Sequence, residues 1–149
     1  LLVREIREDR LILGALLLIF RKTRKCGLSI LISYGLVYLI GNMLLKDLIA
    51  RPRPCHIDKT IPLLVSRPSS FSCPSTHSAW AFAGGVSVLL QHKKAGLFVL
   101  VFSAMVAFSR LYLFVHFPSD VLFGAVLGSL FAFCATKLTA FAAKPIRLI

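Results

Sequence analysis

The stretch Ser109-Arg110-Leu111-Tyr112-Leu113-Phe114-Val115-His116-Phe117-Pro118-Ser119-Asp120 sets an arginine, a histidine and a carboxylate between two long apolar runs. Placing an ionisable side chain within a membrane costs roughly 2.5–3.5 kcal/mol on insertion scales, so such a cluster reads as a functional site. His116 and Asp120 are one helical turn apart, and Pro118 between them suits the first turn of a helix. The carboxylate can then turn back and hold the imidazole, giving a base or nucleophile with its orienting acid. The other reading is a pair of helix-end residues at the membrane surface.

The rest of the chain supports a membrane setting. Its 149 residues are 57% hydrophobic and 16% charged, with a mean hydropathy of +0.81. That is too apolar for a water-soluble domain of this size and predicts an all-α, polytopic transmembrane bundle, a single domain over residues 1–149. The formal charge of +12 does not point to nucleic acid, because the basic residues lie in short clusters between apolar runs rather than on one polar face. They read as topology signals and anion ligands.

The spans are expected at about residues 28–45, 75–91, 95–115 and 119–138. The first is long enough to cross about 27 Å. Before it, the apolar residues 11–20, bounded by Arg10 and Arg21, reach only about 15 Å. Residues 1–27 are therefore expected to form a short interfacial segment or the remnant of a longer span. Between the first two spans lies a proline-rich stretch of mixed polarity with Arg51-Pro52-Arg53-Pro54 near its start, which reads as a loop with short structured pieces.

Four spans divide the loops between two sides. Arg21, Lys22, Arg24, Lys25, Lys93, Lys94, Lys137, Lys144 and Arg147 make nine cations on one side, against six on the other. The first side is expected to be cytoplasmic. The long loop and His116 then face the extracytoplasmic side, placing the active site at that membrane face.

Three segments reach this face. Lys46, Arg53 and Arg110 are cations suited to a multiply charged anion, since guanidinium forks match phosphate oxygens. Taken singly, each can also be a side chain snorkelling to lipid headgroups. The segment Ser72-Cys73-Pro74-Ser75-Thr76-His77-Ser78 leads into the second span. Pro74 and Ser75 suit a helix start whose unpaired N–H groups bind phosphate, with His77 one turn in to protonate a leaving oxygen. His77 can equally be a satisfied interfacial histidine. Two histidines and a bound phosphate permit a two-step displacement, one attacking phosphorus and the other serving as acid and then base. No metal or other cofactor is called for, because the cations supply the charge stabilisation.

Together these motifs resemble those of the type 2 phosphatidic acid phosphatases, a family of integral-membrane lipid phosphatases. Lys46, Arg53 and Pro54 match Lys-x6-Arg-Pro; Pro74-Ser75-Thr76-His77 matches Pro-Ser-Gly-His; and Ser109, Arg110, His116 and Asp120 match Ser-Arg-x5-His-x3-Asp. The resemblance implies that His116 is the nucleophile forming a phosphohistidine, Asp120 its orienting acid and His77 the general acid. It implies Lys46, Arg53, Ser75, Thr76 and Arg110 as the phosphate cradle. The Arg-Pro-Arg-Pro-Cys run and small size are similar to bacterial plasma-membrane members acting on undecaprenyl diphosphate or phosphatidylglycerol phosphate. Thr76 stands in place of the family's glycine, and would be strained if that position required a positive φ.

Two other readings compete. Cys55, His56, Cys73 and His77 are a donor set that zinc accepts. A catalytically silent, lipid-binding member is the other, favoured by Thr76 and the short N-terminus. Cys55 and Cys73 share a loop and would be able to pair if it is extracytoplasmic.

Overall fold

A computed structural model describes residues 14–142, and among them every regular element is helical. The first part of the expected N-terminal segment, residues 1–13, and the tail with Lys144 and Arg147 lie outside the described residues. Residues 14–19 are helical and lead into α1 (Arg24–Leu36), which continues without a break as a π-helical segment, Val37–Leu45, and one further α-turn, α2 (Lys46–Ile49). After a short α3 (Pro54–Ile57) come α4 (Thr76–Gln91), α5 (Lys93–Tyr112) and α6 (Pro118–Ala142).

Among the described residues, three stretches are long and apolar enough to cross a membrane: Arg24–Ile57, Lys93–Tyr112 and Pro118–Ala142. Helix α4, expected as a span over 75–91, has 16 residues. It packs against α1, α5 and α6 and forms the middle of the bundle. The third span ends at Tyr112 rather than 115, because Phe114 takes a left-handed φ of 55° and turns the chain toward His116.

The helices are apolar outside and small or polar inside, the inverse of a soluble bundle. On α5, Phe98, Val101, Phe102, Met105 and Phe108 are exposed, while Gly96, Ser103 and Ala107 are buried. In hydrocarbon, outward burial gives no preference between lipid and protein, so helices associate through close backbone approach and interhelical hydrogen bonds. Ser103 Oγ donates to the Ala81 carbonyl at 2.7 Å, tying α5 to α4. Ser29 Oγ lies 2.8 Å from Thr139 Oγ1, tying α1 to α6.

Helices α4 and α6 approach closely along one seam. A Cβ on Gly124 would run into the Ser75 carbonyl oxygen, and one on Gly128 into that of Ala79. The Gly-x-x-x-Gly spacing thus sets two backbones in contact along one seam. It also fixes the first turn of α4 against the first turns of α6. Helices α1 and α5 run toward this end of the bundle, so Lys46, the start of α4, the end of α5 and the start of α6 meet there.

Candidate active site

The loop between α2 and α4 folds back over this end. Ala50 adopts a left-handed φ of 46° after α2, its N–H bonded to the Lys46 carbonyl, and the chain leaves extended through Arg53. That reversal directs Arg53 inward, where it is 4% exposed. Its Nε donates to the Ser70 carbonyl at 2.7 Å, Nη2 to Ser70 Oγ at 3.0 Å and to the Phe71 carbonyl at 3.2 Å, and Nη1 to the Val115 carbonyl at 2.9 Å. Lys46, 5% exposed, donates to the same Ser70 Oγ at 3.3 Å. Two buried cations therefore converge on one loop hydroxyl.

His116 is 4% exposed, and its Nε2 lies 3.1 Å from Arg53 Nη1. Asp120 is fully buried. Its Oδ2 accepts from Ser72 Oγ at 2.5 Å and from the Phe117 N–H at 2.9 Å, while Oδ1 accepts from Arg51 Nη1 at 2.8 Å. Arg51 also donates to Ser119 Oγ at 2.7 Å and lies over the Phe117 ring, 4.1 Å from its centroid. The imidazole and carboxylate of the His116–Asp120 pair are 3.8 Å apart at their nearest atoms, Nδ1 and Oδ2.

Ser75 ends the loop as the N-cap residue of α4. Its N–H donates to the Asp120 carbonyl at 3.0 Å, and its hydroxyl accepts from Ser78 Oγ at 3.0 Å. Thr76 is the first helical residue and is not among the positive-φ positions, which are Ala50 and Phe114. The strain expected of a threonine there does not arise. Its hydroxyl instead donates to Asn42 Oδ1 in the π-helical segment at 3.3 Å. His77 is half-buried and stacks edge-on near Trp80, with ring centroids 6.5 Å apart. Arg110, on the last turn of α5, sets Nε and Nη2 3.1 and 3.0 Å from Ser109 Oγ.

Among the described residues, no three His, Cys, Asp or Glu side chains gather as a metal site. The zinc reading of Cys55, His56, Cys73 and His77 is corrected accordingly: His56 Nε2 lies 2.9 Å from the Pro68 carbonyl, and both cysteines are buried free thiols. The Cys55–Cys73 pairing is likewise not formed. Burial pushes the Cys73 thiol above its ordinary value, which keeps it protonated and unreactive.

Residues that motif reading did not single out complete the network. Ser70 joins the cations, while Ser72 and Arg51 hold the carboxylate. The doubled Arg-Pro of residues 51–54 was the one signal for Arg51; side chains two apart on extended chain point to the same face, and both arginines find partners in the same cluster, Arg51 on Asp120 and Arg53 beside His116.

Burial, followed by the charges of Arg53 and Lys46, lowers the pKa of His116 from 6.5 to about 3. The imidazole is therefore neutral near pH 7, with its lone pair on the nitrogen facing Arg53. An unfolded chain would bind a proton at this residue below pH 6.5 that the folded chain refuses until about pH 3. This contribution to stability is complete above the unfolded value and is lost as pH falls through that window. The unfolding temperature of the native protein in detergent is expected to drop more steeply between pH 6.5 and 4 than that of His116→Ala. Parallel slopes would contradict a depressed imidazole.

Comparison with known proteins agrees with the geometry. The family model of the PAP2 superfamily matches residues 26–143. An undecaprenyl-diphosphatase of Sulfolobus acidocaldarius is 34% identical over 125 residues, covering 83% of this chain and 60% of that protein. Phosphatidylglycerophosphatase B of Bacillus subtilis is 38% identical over 133 residues, covering 82% of this chain and 62% of that protein. The chain thus spans about three-fifths of the length of these two curated relatives. The crystal structure of a transmembrane PAP2 type phosphatidylglycerolphosphate phosphatase from Bacillus subtilis superimposes with a TM-score of 0.66 at 30% identity, covering 97% of this chain and 73% of that one.

Proposed function

From the premise that the chain belongs to the PAP2 superfamily, we propose that it hydrolyses a phosphate ester or diphosphate of a membrane lipid without a metal, through a phosphohistidine. The observation that carries this reading is the contact of His116 Nε2 with Arg53 Nη1 at 3.1 Å, both residues being buried. It puts a neutral imidazole beside a cation suited to phosphate.

In the first step His116 Nε2 attacks phosphorus, and the bond from phosphorus to the lipid oxygen breaks. His77 gives its proton to that oxygen. In the second, His77 takes a proton from water, the oxygen attacks phosphorus, and the bond from phosphorus to His116 breaks to release phosphate. Lys46, Arg53 and Arg110, with Ser75, Thr76 and the first-turn amides of α4, hold the phosphoryl oxygens. Asp120 orients the nucleophile.

Undecaprenyl diphosphate is the proposed substrate, supported by the similarity to the Sulfolobus acidocaldarius enzyme, with phosphatidylglycerol phosphate the second, supported by the Bacillus subtilis relative. The charge bias of the loops supports a site that faces the extracytoplasmic side. The test is phosphate release in detergent with EDTA from each lipid. Release is expected from both and faster from undecaprenyl diphosphate. A folded protein that releases none overturns the hydrolase reading in favour of a silent lipid-binding one; release abolished by EDTA overturns its metal independence.

A further inference from the structure

The carboxylate that orients the nucleophile does not touch it. His116 Nδ1 and Asp120 Oδ2 are 3.8 Å apart, beyond hydrogen-bond reach. Between them sits the hydroxyl of Ser72, 3.4 Å from Nδ1 and 2.5 Å from Oδ2, with the residue fully buried. We propose that Ser72 is the positioning residue of this site: its hydroxyl accepts from Nδ1–H of His116 and donates to Asp120, so the acid acts on the nucleophile through the serine.

The direction of each bond follows from donor chemistry. A guanidinium has donors only, so Nε2, facing Arg53 Nη1, accepts. The single proton of the neutral ring is then on Nδ1. Asp120 is ionised and accepts only, so the Ser72 proton points toward it, and the serine's lone pairs are left for Nδ1–H. No proton crosses the chain during the reaction. As Nε2 bonds to phosphorus and the ring becomes cationic, Nδ1 keeps its proton and the polarised hydroxyl passes on the stabilising effect of the carboxylate.

Other partners of Asp120 cannot replace this link. Phe117 N–H and Arg51 are both donors to the carboxylate, and neither accepts from the ring. Ser72 is itself fixed by its own N–H, which donates to the Arg51 carbonyl at 2.8 Å. The backbone of the Arg51–Arg53 segment therefore sets the serine, and its side chains set the acid and the nucleophile.

The inference rests on the phosphohistidine reading for its kinetic consequence and on the ring tautomer for an independent one. In full-length protein labelled with 15N-histidine, with His116→Ala used to assign the signal, native His116 is expected to carry its proton on Nδ1. Ser72→Ala leaves Arg53 facing Nε2, so the proton is expected to stay on Nδ1, with its resonance moved upfield and its exchange with solvent faster as the acceptor is lost. In phosphate release, S72A is expected to lose about 30- to 100-fold in kcat with KM within twofold, and S72T, which keeps a hydroxyl, to recover at least tenfold of that loss. The S72A/D120N double variant is expected to fall no further than D120N alone.

A native ring protonated on Nε2, an Nδ1–H signal in S72A that matches the native one, or losses that multiply in the double variant would each overturn the role of Ser72. Absence of turnover in the native protein would overturn the hydrolase reading instead, and the nitrogen spectra would still decide the serine.

Discussion

Phosphate release by His116→Ala is expected to fall to background, a loss on the order of 10⁴-fold or more. The imidazole is buried, neutral near pH 7 and pressed against Arg53, and no other side chain in the network offers a nitrogen lone pair at that point. Every other part of the cradle survives the substitution. Lys46 and Arg53 keep their bonds to Ser70, Phe71 and Val115, so lipid binding should persist. The measurement is single-turnover release beside equilibrium binding of the lipid. Residual turnover above about one percent of native would mean that water attacks the lipid phosphate directly and that the histidine is a base.

Asp120→Asn is expected to cost about 10²- to 10⁴-fold in kcat, by comparison with the carboxylate of other acid-oriented histidines. The expected size follows from its partners. Ser72, Phe117 N–H and Arg51 all donate to this carboxylate, so an amide nitrogen at either oxygen position meets a donor. The substitution removes the charge, and because two donors hold the amide oxygen at the Oδ2 position, it sets the amide nitrogen against Arg51 and breaks that ion pair. KM should move by only a few-fold, because Asp120 faces the nucleophile rather than the phosphoryl oxygens. A kcat within tenfold of native, in a protein of native unfolding temperature, would contradict an orienting role.

Much of this arrangement was legible in the chain. The apolar runs located the helices, because in hydrocarbon every backbone polar group must be satisfied within the segment. The ionisable residues at one set of helix ends marked the cluster in which Lys46, Arg53, His116 and Asp120 are buried. Less was legible where the geometry depends on residues distant in sequence. Ser72 lies 44 residues from His116, and no spacing rule relates a loop serine to a ring nitrogen on another helix. Thr76 looked costly against a glycine pattern, but its backbone is helical and its hydroxyl finds Asn42. The π-helical stretch Val37–Leu45 was likewise hidden within an apolar run that reads as ordinary α-helix. Helix α4 was read as a span by composition. Its place in the middle of the bundle is marked only by its small residues Ala79, Ala83, Gly84 and Gly85.

The glycine seam between α4 and α6 bears on how such a protein changes over generations. Gly124 and Gly128 admit the Ser75 and Ala79 carbonyls so closely that a side chain on either helix would move both. The start of α4 and the helix start carrying Asp120 are therefore coupled as one unit, in which a side chain added at the seam displaces both. Lys46 arrives by another route, on a helix with a π-helical stretch before it and exposed Met43, Leu44 and Leu48 around it. Substitutions at those exposed positions and on the outward face of α5 leave the glycine seam untouched.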